Sequence, residues 1–161
     1  MPLVLEFKSR DKIIINGAVI ENGGPHAKLV VHNQAAILRG KEILSDEDAK
    51  TPASRIYFSL QCAYIFPGGK DQYLNAFSRY IEEYLRACPS AGPMAREVVD
   101  EVKAGRLYKA LRASQKLIKH EATLVEGLEH EVSSAIKTLV EQNHPEQSEA
   151  RGLEHDYRDD D

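Results

Sequence analysis

The sequence predicts an α+β fold: a small antiparallel β-sheet of about five short strands, a bundle of about four helices, a C-terminal amphipathic helix and a disordered acidic tail. Two observations predict this order. In the first 44 residues the apolar side chains form short runs, rich in Leu, Val and Ile, between turn-forming residues. From about residue 51 they recur at steps of three and four, as on one face of a helix.

The predicted strands are separated by clear turn signals. Asn16-Gly17 is a favoured two-residue hairpin connection because both residues tolerate a positive φ, and Asn22 to Pro25 form a wider turn. The turns suggest that consecutive strands pair as an antiparallel meander. The strands are expected at residues 3–7, 12–15, 18–20, 28–32 and 36–38.

The first helix has the best marked beginning in the chain. Thr51 is a favourable N-cap, and Pro52 stands at the first helical position, where its missing N–H costs nothing. In residues 56–66 only Ser59 and Gln61 are polar, so this helix needs protein on most of its sides. We expect it to be the element against which both halves of the chain pack.

Three further helices and a C-terminal helix are predicted after it. The second follows Asp71 and stops before Pro89, and the third ends near Gly105. The fourth runs from Arg106 and should weaken at Gly127, where a separate amphipathic helix begins. We therefore expect residues 1–44 and 45–126 to form one domain, with residues 127–161 as a C-terminal helix and disordered acidic tail.

Length and composition exclude several classes of protein. A chain of 161 residues with 42% hydrophobic content suffices for one modest core. No apolar run reaches the length of a membrane span, and the N-terminus lacks a signal-peptide pattern, so a cytoplasmic protein without membrane contact is expected. The two cysteines, Cys62 and Cys88, do not form a metal or redox motif and should be reduced.

The net charge of −4 is unevenly distributed along the chain. Residues 1–50 carry seven basic and seven acidic groups, residues 51–127 eleven and eight, and residues 128–161 three and ten, which gives 0, +3 and −7. The body is weakly basic. This charge does not exclude an anionic partner, but it is far from the excess of a general nucleic-acid binder.

Nothing in the sequence indicates an enzyme. The six histidines do not occur at metal-ligand spacings, and the glycine-containing turns lack the phosphate-loop and dinucleotide-binding patterns. We expect no catalytic residue, no metal and no cofactor. The basic helical face of Lys109, Arg112, Lys116 and Lys119 is interpreted as a solvated surface.

The basic residues of the β half are the candidates for RNA binding. If they cluster at one edge of the sheet, they form a surface for phosphates, with backbone groups available to bases. The competing interpretation is that they only keep an edge strand soluble, since acidic residues are interspersed with them. The candidates are Arg10, Lys12, Lys28, Arg39 and Lys41.

A second candidate surface lies on the predicted C-terminal helix. Its apolar residues recur at helical spacing after the glycine and lead into the acidic tail, which favours a partner-binding helix. A second copy and a different protein are equally compatible with this pattern. The candidate partner-binding residues are Leu128, Val132, Ile136 and Leu139.

Four segments, taken together, resemble one protein family. IIINGAVIENG at residues 13–23, ILRGKEIL at 37–44, TPASRIYF at 51–58 and GRLYKALRASQKLIKHE at 105–121 are similar to the FlbT family of alphaproteobacterial flagellar regulators. The resemblance covers about residues 1–126 and does not extend to the C-terminal segment.

The resemblance implies a post-transcriptional regulator of flagellin synthesis. Such proteins associate with the 5′ untranslated region of flagellin mRNA and promote its degradation, although some members act positively, and they work alongside the small helical protein FlaF. No RNA-contacting residue is carried over from the family. The alternative is a regulator that binds FlaF or flagellin through its helices and affects mRNA indirectly.

Overall fold

The computed structural model describes residues 1–143. The predicted acidic tail lies in residues 144–161, outside the described residues. The chain divides into two compact units, residues 1–123 and a second that begins at Leu124. The first unit contains all the strands and most of the helical residues, so it carries the fold.

Five strands form two small antiparallel sheets. The strands are β1 (Leu3–Phe7), β2 (Lys12–Ile15), β3 (Ala18–Glu21), β4 (Ala27–Val31) and β5 (Ile37–Arg39). One sheet pairs β1 with β4, and the other has the order β3-β2-β5. This order differs from the meander expected from the turns, in which β1 would pair with β2.

The turn after β1 explains the different pairing. Arg10 adopts a positive φ of 68°, which turns the chain out of β1 and into the second sheet. The Asn22 side chain then donates to the carbonyls of Phe7 and Pro25, each at 2.8 Å. These bonds bring the chain back beside the end of β1, and β4 begins there. Leu5 consequently pairs with Leu29.

Four helices follow the strands. They are α1 (Pro52–Ile65), α2 (Lys70–Ala87), α3 (Gly92–Lys103) and α4 (Leu107–Gln142). Short 3-10 turns precede α1 at Gly40–Glu42 and Asp46–Asp48. The predicted α+β class, with antiparallel strands before helices, is confirmed.

Helix α1 is the centre of the larger core. The Thr51 side chain accepts the backbone N–H of Ser54, as the N-cap predicts. Ile56 and Leu60 are completely buried, in a cluster that also contains Leu38 of β5 and residues of all four helices. A smaller cluster is formed by Leu5, Phe7 and Ile13 of the strands.

Two contacts join the strands and the bend before α1 to this helix. The buried amide of Gln61 accepts the backbone N–H of Leu44 and donates to its carbonyl, both at 2.8 Å. The Tyr64 hydroxyl accepts the N–H of Ile37 at 3.2 Å. Because an unpaired buried polar group costs about 1–3 kcal/mol, the Gln61 pair holds this bend in one position.

Helix α4 continues through Gly127 to Gln142, so the predicted interruption is wrong. A helical glycine costs about 1 kcal/mol relative to alanine, and the flanking Leu, Glu and Val residues continue the helical pattern. Within the second unit, as far as Asn143, every side chain is exposed.

The Asn16-Gly17 hairpin turn gives a direct test of the packing. Gly17 has a φ of +85°, and a Cβ there would lie 2.9 Å from the Phe66 ring. Gly17→Ala should therefore lower the free energy of unfolding by about 1–2 kcal/mol through the backbone alone, with the ring contact adding to the loss. Urea denaturation measures the change.

Gly23→Ala is the matched control, because a Cβ at Gly23 meets nothing within 4 Å and its φ is not positive. Its free energy of unfolding should stay within about 0.5 kcal/mol of the original. Equal stability of the two variants would contradict both the positive φ of Gly17 and its close contact with Phe66.

Candidate nucleic-acid interface

An open groove of about 440 Å³ lies where β2, β5 and the bend after β5 meet the beginning of α4. Its wall combines basic, acidic and apolar side chains from both halves of the first unit. The lining residues are Glu6, Phe7, Asp11, Lys12, Ile13, Arg39, Gly40, Lys41, Glu42 and Tyr108.

Three of the five predicted RNA-binding residues share this groove. Lys12 opens β2, and Arg39 ends β5 opposite Ile13 in the strand register. Lys41 follows in the 3-10 turn and is exposed. Within residues 1–143, Lys41 forms no ion pair.

Arg10 and Lys28 do not line the groove. The Arg10 side chain is 87% exposed and lies 3.9 Å from the Glu21 carboxylate. Lys28 faces Glu6 across the β1–β4 pair, with 3.6 Å between charged atoms. Lys12, Arg39 and Lys41 therefore lie together in the groove, whereas Arg10 and Lys28 lie outside it.

Acidic side chains accompany the cations. Lys12 lies 3.8 Å from Glu21, and the guanidinium of Arg39 donates to the backbone carbonyl of Glu6 at 3.1 Å. A hydrogen bond from His26, followed by the charge of Lys28, holds the pKa of Glu6 below its ordinary value. The groove thus presents cations that are accompanied by an equal number of carboxylates.

Two tyrosines fix the turn that carries Lys41. The Tyr57 hydroxyl of α1 donates to the backbone carbonyl of Glu42, and the Tyr108 hydroxyl of α4 donates to its carboxylate, both at 2.6 Å. The bond to Glu42 is the main cause that raises the pKa of Tyr108. The Tyr108 ring also lies 5.6 Å from that of Tyr64, so it is held between neighbours.

A second basic surface begins at Lys109 and follows α4. A neighbouring groove of about 510 Å³ is lined by Lys109, Arg112, Lys116 and Lys119, with Glu97 and Glu101 of α3 beside them. Lys116 pairs with Glu97 at 2.7 Å. In residues 1–143, Lys109, Arg112 and Lys119 form no ion pair.

The sequence analysis interpreted this helical face only as a solvated surface. The three- and four-residue spacing was visible in the sequence, but nothing there indicated that Tyr108, one turn before Arg112, lines the β2–β5 groove. Since residues four apart are neighbours on a helix, Arg112 follows Tyr108 on one face. Its positive charge acts on the Tyr108 hydroxyl and opposes the rise in pKa.

The predicted partner-binding residues all lie in the second unit, on one side of α4. Leu128, Val132, Ile136 and Leu139 are each more than half exposed. Val125, Leu128, Val132 and Ile136 line one shallow, mostly apolar surface together with Glu129 and Ser133. Within the second unit, as far as Asn143, no packing covers these side chains.

The described residues show little that resembles catalytic chemistry. No group of three or more metal-ligating side chains occurs in residues 1–143. The Ser90 hydroxyl lies 3.4 Å from His120, but within the same residues no carboxylate hydrogen-bonds to that histidine. None of the described helices has the length and apolar character needed to cross a bilayer.

Comparison with known proteins identifies the family. Residues 3–125 match the family model described as Flagellar protein FlbT. The chain belongs to the FlbT family. The match confirms the resemblance of the four segments, and it ends at residue 125, within α4.

Relatives in the FlbT family align along nearly their whole length. A probable flagellum biosynthesis repressor protein FlbT from Rhodopseudomonas palustris strain TIE-1 is 37% identical over 128 residues, 78% of this chain and 98% of the relative. The flagellum biosynthesis repressor protein FlbT of Caulobacter vibrioides is 34% identical over 123 residues, 75% of this chain and 87% of the relative. No solved structure matches the chain. These names describe repressors rather than enzymes.

The buried tyrosines predict a pH dependence of stability. Burial raises the pKa of Tyr57 to about 12, and that of Tyr84 also to about 12. A tyrosine in the unfolded chain ionises near pH 10. The contribution of these two tyrosines to stability should therefore be constant below about pH 10 and fall between about pH 10 and 12, because only the unfolded chain loses these protons there.

Tyr57→Phe should make this alkaline decline shallower. At neutral pH the variant should be destabilised by about 1 kcal/mol, since the hydrogen bond to Glu42 is lost. Urea denaturation at several pH values measures the free energy of unfolding. The tyrosinate absorbance of the folded protein measures the ionisation of its tyrosines. An unchanged alkaline decline in the variant would show that Tyr57 titrates as an exposed phenol.

Proposed function

We propose that this protein regulates flagellin expression after transcription by binding the 5′ untranslated region of flagellin mRNA. The relatives' names support a repressor of flagellum biosynthesis. The observation that carries RNA binding is that Tyr108 lines the β2–β5 groove, while Arg112, one helical turn later, lines the second groove and acts on the Tyr108 hydroxyl through its charge.

The proposed path of the RNA follows these two grooves. The phosphate backbone enters along Lys12, Arg39 and Lys41 and continues past Tyr108 to Arg112 and Lys119. Arg10 and Lys28 flank the entrance as outer contacts. Tyr108 positions the turn and is not a base-stacking platform, because its hydroxyl and ring are already engaged.

The acidic neighbours do not prevent phosphate binding. Exposed ion pairs such as Lys12–Glu21 contribute about 0–1 kcal/mol, so a phosphate can replace the carboxylate at little cost. They do limit non-specific binding, because each phosphate contact must compete with a nearby carboxylate. The preferred ligand is then a looped or single-stranded leader segment whose shape brings several phosphates together.

Binding alone is sufficient to affect the message. In the proposed mechanism, occupation of the leader blocks translation or exposes the mRNA to a separate nuclease. The protein itself acts as a cytoplasmic, non-catalytic regulator and needs no cofactor.

Charge-reversal variants test the proposed surface. Arg39→Glu, Lys41→Glu and Arg112→Glu should each weaken binding to the flagellin leader by about tenfold or more. Each should also reduce the salt slope of the logarithm of the binding constant by about one, because one phosphate contact is lost. Binding is measured with the purified protein over a range of salt, against a scrambled RNA.

Lys103→Glu is the matched control, since Lys103 is an exposed residue that ends α3 and lines neither groove. It should leave the affinity within about twofold, as expected for weak long-range screening. If the control weakens binding as much as the groove variants do, binding depends only on net charge. If none of the variants changes the salt slope, the RNA does not follow this surface.

The competing function is a regulator that acts through FlaF or flagellin and affects the mRNA indirectly. The specific observation that favours it is the equal number of acidic and basic residues in the first groove, Glu6, Asp11 and Glu42 against Lys12, Arg39 and Lys41. Purified FlaF or flagellin should then bind with little salt dependence, because an apolar interface is weakly screened. Leader-selective RNA binding by the protein alone would contradict this alternative.

A further inference from the structure

The C-terminal part of α4 exposes an apolar surface that nothing in its own unit covers. Leu124, Val125, Leu128, Val132 and Leu139 are between 41% and 61% exposed. Most of the stability of a helix in a protein comes from the packing of its apolar face. Nothing in the second unit, as far as Asn143, covers this face, so a partner would stabilise the segment.

The spacing of the apolar residues identifies the kind of partner. Val125, Leu128, Val132, Ala135 and Leu139 alternate steps of three and four, which is the a and d pattern of a coiled coil. Val125, Val132 and Leu139 occupy a positions, and Leu128 and Ala135 occupy d positions. β-branched residues at two of the a positions, with Leu at a d position, favour two parallel strands.

We propose that residues 124–142 pair with the same segment of a second copy as a parallel two-stranded coiled coil. The proposal does not depend on RNA binding. It concerns a segment beyond residue 125, where the match to the family model ends, and so adds an assembly surface to the family fold.

The charged residues are compatible with this pairing. In a parallel pair, the g position of one strand lies beside the following e position of the other. Leu124 then lies beside Glu129 of the other copy, and Glu131 beside Ile136 of the other copy. No two like charges meet along the seam, and Glu126, Lys137 and Glu141 occupy outer positions.

The remaining segment of the chain is a poor alternative occupant. Residues 144–161 contain seven carboxylates, and Ala150, Leu153 and Tyr157 are their main apolar side chains. Three apolar residues spread over this length cannot cover a surface of five or more. Glu126, Glu129 and Glu131 would also repel so acidic a segment.

Sedimentation equilibrium of the full chain, without RNA, tests the proposal. The mass should rise with concentration to twice the 18.0 kDa of one chain. Leu128→Lys and Val132→Lys each place a charge in the seam, and each should raise the dissociation constant of the dimer at least tenfold. Ser134→Lys, at an outer position of the same helix, should leave it unchanged.

Leu128 and Val132 are exposed in the single chain, so the two variants should leave the thermal unfolding temperature of the first unit unchanged. A monomer at all concentrations would overturn the proposal and leave the surface to a different protein. A dimer insensitive to Leu128→Lys would also overturn it, because association would then occur elsewhere.

Cross-linking tests the direction of the two strands. In a Cys88→Ser background, Val125→Cys alone and Leu139→Cys alone should each form a disulfide-linked dimer on oxidation, because equivalent residues meet in a parallel pair. Ser134→Cys is the control and should not cross-link. Cross-linking only in a mixture of the Val125→Cys and Leu139→Cys chains would show an antiparallel pair and overturn the proposal.

Discussion

The hydrogen bonds between Gln61 and the backbone of Leu44 are the contact on which the candidate site depends. They attach the bend after β5 to the central helix, and the Tyr57 and Tyr108 hydroxyls attach the turn just before it. Because Gln61 is buried, losing either bond leaves an unpaired polar group and costs about 1–3 kcal/mol. Lys41 therefore projects from a backbone that two helices hold in place.

The arrangement of charge bears on the proposed selectivity for RNA. Glu6 and Glu21 lie beside the cations of the strands, whereas Lys109, Arg112 and Lys119 on α4 form no ion pairs in the described chain. A strongly basic surface would bind any RNA, since phosphate neutralisation is independent of sequence. In the proposed RNA path, cations in both grooves lie beside carboxylates, so a ligand with phosphates at both places would bind best.

Local signals predicted most of the elements, and contacts distant in sequence decided the rest. Asn16-Gly17 and Thr51-Pro52 carry their conformational preferences in their own residues, so the hairpin and the start of α1 were predictable. The pairing of β1 with β4 depends on the Asn22 side chain reaching the carbonyl of Phe7, which no periodicity shows. The role of Tyr108 was missed for the same reason, as its partner Glu42 is 66 residues away.

The central proposal is that the flagellin leader binds the β2–β5 groove and the neighbouring basic face of α4 at the same time. NMR titration of the isotopically labelled protein with the leader RNA tests it most directly. The account predicts chemical-shift changes at Lys12, Arg39 and Lys41 together with Arg112 and Lys119, saturating at the same RNA concentration. Changes confined to one of the two grooves, or located on α2 and the end of α4, would contradict it.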